Sequence, residues 1–508
     1  MSLKIDRGLV LRNTIINILG GLAPVAISIV TLPRVLSVLG TENYGILSLA
    51  LVVLGYFSFL ELGLGTATTK FVAEALGKGD EEALPSIIWT ALLLQLGLGV
   101  LGGLLVEALA PVLVGSWLNI PTAMQPEARS ALLLLGLAVP MMLVCPTLNG
   151  VLEAAQRFDL VNLVAIPASA ATSLVMYAGA SMGFRLSGII ALLIASRVII
   201  TLWLLALCLR LFPALRRSFG VSRTVIKRLV MYGGWFTVSG LVVPLLMYLD
   251  RFMLGRYVSL SDVTYFTVPY GMVVRLYILP ASLVRTLFPA FSTLDAANRS
   301  HLEELYLRSF KYMVLASGPL ILFLSTFGGD LMLAWLGPDF SRHGGRVFSL
   351  LLYGSIFAML APIAATLLQG IGRPDIVVKW YLFCVPANTL VVWLLIRNWG
   401  LDGAALSFAL RAAAEAVALA FMAAKLAEIK YSALVRHRLW GMIAMLVCLG
   451  LLMSATPLAS GLSGRFAAYA AGLALFLGMG WFLMLDDTDQ EFIKAQLSAK
   501  LKPRLGTI

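Results

Sequence analysis

Long apolar runs, separated by short polar connections, recur along the whole chain. Each run holds about 20 residues or more, enough to cross ~30 Å of hydrocarbon as a helix. None shows the strict in-out alternation of a barrel strand. Counting the runs gives fourteen, centred near residues 24, 56, 98, 140, 170, 199, 240, 276, 318, 357, 386, 415, 447 and 474. The pattern predicts an all-α polytopic membrane protein with about 14 transmembrane helices. Pro140 and Pro146 interrupt the fourth run and Pro280 the eighth, so both are expected to kink. The basic start MSLKIDRGLVLRN precedes an apolar run from Thr14 to Leu36. That run is too long for a secretory signal, and no small-residue cleavage site follows it. An uncleaved first span is expected.

Composition agrees with this pattern. Of 508 residues, 60% are hydrophobic and 13% charged, about half the charged share of a soluble chain. The net charge is +12, which in a soluble protein would point to nucleic acid. Its distribution points elsewhere. With the N-terminus inside, 25 Lys and Arg fall in inner segments, 9 in outer segments and 4 within spans. Basic residues gather in cytoplasmic loops, so both termini are expected in the cytoplasm and no nucleic-acid partner is implied. The four cysteines (Cys145, Cys208, Cys384, Cys448) all lie in apolar runs without metal-ligand spacing, and read as packing residues.

The longest inner loop, RLFPALRRSFGVSRTVIKR, falls midway through the first twelve spans. The flanking halves share short stretches. LPRVLSVLGTENYG after the first span matches LDRFMLGRYVSLSDVTYF after the seventh. LSGIIALLIASR matches LDGAALSFALR, and AAQRFDLVN matches QGIGRPDIVVK. Six spans is an even number, so both halves insert the same way and their repeat axis follows the membrane normal. The division expected is a first lobe at 1–212, a basic linker at 213–228, a second lobe at 229–430 and two further spans at 431–486. The last segment, 487–508, reads as an amphipathic interfacial tail with Phe492, Ile493, Leu497 and Leu501 on one face.

Four stretches in order, LGTENYGILSLA, ELGLGTATTKFVAEAL, QGIGRPDIVVK and NTLVVWLLIRNWGLDGAALSFALR, resemble the polysaccharide transporter family of the multidrug/oligosaccharidyl-lipid/polysaccharide (MOP) exporter superfamily, whose members include Wzx-type O-antigen flippases. The resemblance covers nearly the whole chain. It implies a V-shaped pair of six-helix lobes in the bacterial inner membrane, working by alternating access. The implied passenger is a polyprenyl-diphosphate-linked oligosaccharide, moved from the cytoplasmic to the periplasmic leaflet. The two extra helices resemble those that form a prenyl groove in related lipid flippases. No cofactor is implied beyond a coupling ion, H+ or Na+. The implied partners are membrane lipids and loosely associated glycan polymerase or assembly proteins, with a monomer as the working unit.

The residues suit such a passenger. A diphosphate cannot cross hydrocarbon bare, but guanidinium groups in a wet cavity pair with its oxygens in a fixed fork. Arg275, about 15 Å below Tyr265 at helical rise, is the first choice for headgroup contact. Arg285 is the second, although it can snorkel to the inner surface. Arg197 and Arg411 occupy nearly matching places in spans 6 and 12, with Glu415 one turn after Arg411. Glu61, in span 2, is a candidate for coupling-ion binding or for a lock with Arg285. Asp250 and Arg251, at the end of span 7, are candidates for gating or interfacial anchoring. Against each stands the plain reading of a structural ion pair.

No GxxxxGK[ST] motif is present, so energy would come from an ion gradient or from removal of the product. A multidrug or organic-cation antiporter of the same superfamily is the nearest rival. It would have twelve spans and a cavity rich in carboxylates. A membrane glycosyltransferase or polymerase would need acid/base groups on sizeable loops. The longest outer loop expected, Asp330 to Arg346, offers no such pairing, and the chain is read as not an enzyme. A non-transporting scaffold is the remaining alternative.

Overall fold

The computed structural model describes residues 7–293, 299–429, 438–487 and 489–491. The inner loop 430–437 and nearly all of the expected amphipathic tail lie outside the described residues. Helix dominates, and no strand occurs among the described residues. Eleven helical stretches there are long and apolar enough to cross a membrane. The chain is an integral, all-helical membrane protein. The stretch Pro374–Leu426 has 53 residues, about 80 Å at helical rise, too long for one crossing. It breaks at Gly400 (φ 52, ψ −124), as the 51-residue helix α1 (Arg7–Phe57) breaks at Gly40 (φ 74, ψ 167). Both breaks use backbone angles open to glycine and strained for other residues.

The chain forms two compact units, Met1–Thr264 and Tyr265–Ile508. In the first, α1 is followed by α2 (Leu64–Lys78), α3 (Ala83–Val112), α4 (Gln125–Gly136), α5 (Val139–Ala154), α6 (Phe158–Ser181) and α7 (Leu186–Leu211). A short α8 (Ala214–Arg217) leads to α9 (Arg223–Tyr257). Val72, Ile88, Leu148, Val151, Leu204 and Cys208 form one apolar core, and Leu64, Ala67, Ala91 and Leu229 a second. The cysteines are unpaired thiols.

The basic 213–228 segment is built into this first unit. Trp89 Nε1 donates to the Leu215 carbonyl at 3.1 Å, and Ser222 N–H donates to Thr90 Oγ1 at 3.1 Å. Leu229, just beyond it, is fully buried against α2 and α3. The chain passes from the first unit to the second between Thr264 and Tyr265, within α10 (Leu260–Arg275). Within the first unit, the two matched segments that follow spans 1 and 7 meet: Thr41 Oγ1 lies 3.1 Å from Ser261 Oγ, and Thr264 Oγ1 donates to the Thr41 carbonyl at 2.6 Å.

The second unit continues with α11 (Ile278–Thr293), α12 (Arg299–Leu336), α13 (Pro338–Gly370), α14 (Pro374–Leu426) and two C-terminal helices, Leu439–Ala455 and Gly461–Met479. Helix α13 is its centre. Val347, Leu351, Ser355, Met359, Ile363 and Leu367 are all buried on one stripe at four-residue spacing, the periodicity of a helix packed along its length. The outer loop expected at Asp330–Arg346 is not a loop. Helices α12 and α13 abut across Gly337 (φ 90), so the polar residues there continue the helices. Asp330 pairs with Arg465 of the last helix.

Candidate functional site

The eighth span is two helices. Pro280 has no N–H to give the Leu276 carbonyl, and its ring crowds that carbonyl. Helix α10 accordingly stops at Arg275, the chain turns through Leu276 and Tyr277, and α11 restarts at Ile278. Arg275 is thus half-buried at a discontinuity inside a stretch, Leu260–Phe288, that is apolar enough to span the membrane. Arg285 lies ten residues further on, exposed on α11.

Around this turn the second unit gathers polar and aromatic groups. Arg411 Nη1 stands 3.5 Å from Glu415 Oε2, with side chains only 11% and 17% exposed. Tyr381 OH donates to Glu415 Oε1 at 2.9 Å. The Arg411 guanidinium lies over the Phe408 ring, 5.5 Å from its centroid. Phe408 meets Tyr270 edge to face at 5.5 Å. Tyr277 sits within electrostatic reach of Tyr270, Arg411 and Glu415. A largely enclosed guanidinium held between a carboxylate and an aromatic face presents a planar donor fork, which is the chemistry that recognises phosphate oxygens.

Arg197, the counterpart of Arg411 in the first unit, is exposed on α7. The position one turn later is Thr201, whose hydroxyl returns to the Arg197 carbonyl at 2.8 Å and lies 3.1 Å from Cys145 Sγ. The two matched arginines therefore have different surroundings. Glu61 ends a 3-10 turn, Ser58–Glu61, and its Oε1 accepts the Gly65 N–H at 2.7 Å. Asp250 and Arg251 are buried within the first unit, at 3% and 5% exposure. Arg251 donates from Nη1 to the Met247 carbonyl at 3.1 Å and lies over Tyr248.

Sequence reasoning missed one charged cluster. Lys311, on α12, has a fully buried side chain that meets both Asp486 and Asp489. The available signal was Arg308, Lys311 and Tyr312 at i, i+3 and i+4, together with the D-D-x-D sequence after the last span. Gln95, a lone amide in the apolar run LLLQLGL, was missed as well, and it too is fully buried.

The fold is shared with solved transporters. An inward-facing multidrug resistance MATE family transporter of the MOP superfamily aligns with a TM-score of 0.68 at 17% identity, covering 79% of this chain and 94% of that one. The inward closed conformation of the lipid II flippase MurJ aligns with a TM-score of 0.67 at 11% identity, covering 96% and 99%. In sequence, the "Putative O-antigen transporter" of Shigella flexneri is 23% identical over 420 residues, 83% of this chain and 99% of its own length. Residues 10–295 match the model of the polysaccharide biosynthesis protein family, and the chain belongs to that family.

Proposed function

We propose that the protein is a flippase. It moves a polyprenyl-diphosphate-linked oligosaccharide, a repeat unit of O-antigen or another surface polysaccharide, from the cytoplasmic to the periplasmic leaflet of the bacterial inner membrane. Both termini lie in the cytoplasm, a reading supported by the 25-to-9 distribution of basic residues. The prenyl tail stays in lipid while the headgroup passes through a wet cavity lined by Arg275, Arg285, Arg197 and Arg411. Glu61, Asp250, Arg251 and Glu415 supply coupling and gating, driven by an H+ or Na+ gradient. The working unit is a monomer in loose contact with glycan polymerase and assembly proteins.

The observation that carries this reading is the position of Arg275 at the break between α10 and α11, within a membrane-spanning stretch. A charged residue at such a depth is costly unless it meets a polar partner or water. Discontinuous helices are where transporters place substrate and ion sites. An anionic headgroup fits the arginine there, and an organic cation does not.

The test is made on lipids. The gene is deleted in its host with the initiating sugar-phosphate transferase under control, and polyprenyl lipids are profiled by mass spectrometry. Complementation uses wild type and Arg275→Ala. The expected result is build-up of a complete oligosaccharide diphosphate lipid that wild type clears and Arg275→Ala, at equal expression, does not. Clearance by the variant would remove Arg275 from the headgroup site. No build-up at all, with redundant flippases removed, would overturn the function and favour cation export.

A further inference from the structure

A cavity of about 460 Å³ opens in the first unit where α3 gives way to α4, a volume within the range of small-molecule sites. Pro111, Val114 and Gly115 line it from the end of α3 and the turn that follows. Thr122, Gln125 and Arg129 line it from the start of α4 and the 3-10 turn before it. Pro111 has no N–H for the Glu107 carbonyl. Two residues on, the helix widens into a π turn, Leu113–Trp117, closed by the Leu118 N–H on the Leu113 carbonyl at 2.8 Å. Such turns are frequent at functional sites. This one sets Gly115 at the rim, where an added Cβ would meet nothing within 4 Å.

The cavity is cationic. Arg129 is exposed and, among the described residues, has no hydrogen-bond or ion-pair partner. A second guanidinium stands beside Gly115, because Arg256 Nη1 donates to the Ser116 carbonyl at 2.7 Å. Glu127, the carboxylate closest to Arg129 in sequence, turns to α7 instead, where its Oε1 takes the Leu186 N–H at 3.0 Å. Gln125 spends its Nε2 on the Ile120 carbonyl at 3.2 Å, which fixes the turn.

The cavity also lies at the level of a membrane surface. It joins two spanning stretches, Ala83–Trp117 and Thr122–Ala154, and the exposed ring of Trp117 beside it suits an interfacial depth. Toward the middle of the membrane the same faces continue as exposed apolar side chains. Leu104 lies two turns before Pro111, and Leu133 and Leu137 lie one and two turns after Arg129. A cationic pocket above an apolar run has the profile of a lipid, not of a soluble anion.

We propose that this cavity holds the phosphate headgroup of an anionic glycerophospholipid, with its acyl chains along α3 and α4. The Arg129 guanidinium pairs with phosphate oxygens in a fixed fork. With Arg256 nearby, the site disfavours the cationic head of phosphatidylcholine. By the orientation proposed above, the lipid belongs to the outer leaflet. Binding in detergent depends neither on that orientation nor on the flippase reading.

The experiment counts bound lipid. Full-length protein in detergent is titrated with phosphatidylglycerol or with phosphatidylcholine of the same chains, and native mass spectrometry reads the adducts. Wild type is expected to retain phosphatidylglycerol at lower lipid concentration than phosphatidylcholine. Arg129→Gln removes the charge and Gly115→Leu projects into the cavity; each is expected to lose the tightest phosphatidylglycerol adduct. Arg397→Gln, at an exposed arginine of the second unit, is expected to keep it. Melting in detergent alone reads whether each variant folds; if Gly115→Leu does not, Arg129→Gln carries the test. Equal retention of the two lipids by wild type overturns the proposal. So does a tightest adduct that Arg129→Gln keeps in full, or that Arg397→Gln loses to the same extent. Displacement of phosphatidylglycerol by inorganic phosphate, at constant ionic strength, overturns it too, since the site would then take a free anion.

Discussion

Lys311 Nζ lies 2.6 Å from Asp489 Oδ2, and neither side chain reaches solvent. The ammonium also contacts Asp486 Oδ2 and the Met484 carbonyl, both at 3.3 Å. Asp489 in turn takes the Tyr312 hydroxyl at 2.7 Å and stands 2.9 Å from Arg308 Nε. Asp486 and Asp489 lie just beyond the last spanning stretch, Gly461–Met484, so this cluster fastens the C-terminal pair of helices to α12. Arg438 adds to it by donating to the Leu485 carbonyl at 2.7 Å.

The first prediction concerns that fastening. Removing one member of a buried ion pair strands the other and costs about 3–5 kcal/mol. Lys311→Met and Asp489→Asn are each expected to lower unfolding stability in detergent by that order. The double variant is expected to lose clearly less than the sum, because no charge is left stranded. Additive losses in the double-mutant cycle would show that the two residues do not act on each other.

The second prediction comes from the repeat. Arg157 grips Asp159 through Nε and Nη2 at 2.8 and 2.7 Å, and Arg373 grips Asp375 the same way at 3.0 and 3.4 Å. The turn before each is the same. Arg157 N–H returns to the Leu152 carbonyl and Arg373 N–H to that of Leu368. The preceding residue is left-handed in both, Gln156 at φ 56 and Gly372 at φ 77. Gln156 carries a strain that Gly372 does not. Gln156→Gly is therefore expected to stabilise, and Gly372→Gln to destabilise, by about 1 kcal/mol each. Thermal unfolding of the two variants reads the opposite signs; equal signs would mean the turns are not equivalent.

Much of this was legible from the chain itself. Hydropathy marks a many-spanned helical membrane protein because a bilayer tolerates little else, although eleven spanning stretches occur among the described residues where fourteen spans were expected; Pro280 fixes the break after Arg275 because a missing N–H acts locally. The matched turns at Arg157 and Arg373 were readable as sequence repeats. What escaped depends on distance along the chain. Lys311 meets Asp486 and Asp489 from 175 and 178 residues away; each side carries a local charge pattern, but neither pattern says that the two come together. Arg197 and Arg411 look alike as letters, yet Thr201 stands where the repeat has Glu415, and one guanidinium is exposed while the other is paired. The span-7 pair Asp250 and Arg251 reads as a polar edge, but packing buries it.

The third prediction is a pH dependence. Glu74 on α2 is held below the usual 4.5 for a glutamate, first by the hydrogen bond from Lys78 Nζ at 2.6 Å and then by its charge, with Arg228 adding from 3.6 Å. A folded-state value below the unfolded one gives a stabilisation that is complete above the unfolded value. It is lost as pH falls through the folded one. Melting curves between about pH 6 and 3 should therefore show a smaller acid-side loss for Glu74→Gln than for wild type. High salt should erase the difference, since the pair is exposed. Parallel curves at low salt would contradict the assignment.

The last prediction separates structure from transport at Arg411. Its partner Glu415 is held by Tyr381 as well as by the guanidinium, so Arg411→Gln leaves a carboxylate with a neutral donor. Glu415→Gln removes the carboxylate that faces the guanidinium lying over Phe408. Each single change is expected to cost up to about 3–5 kcal/mol, and Arg411→Gln/Glu415→Gln less than either, because a neutral pair of similar volume strands nothing. Stability alone would thus be recovered in the double variant. Export would not be, if the guanidinium fork handles diphosphate oxygens. Arg411→Lys sharpens the comparison, since it keeps the charge and loses the fork. Lipid profiles of complemented deletion cells read the outcome. A double variant that folds and still clears the lipid-linked glycan would make the pair purely structural and leave Arg275 to meet the headgroup without Arg411.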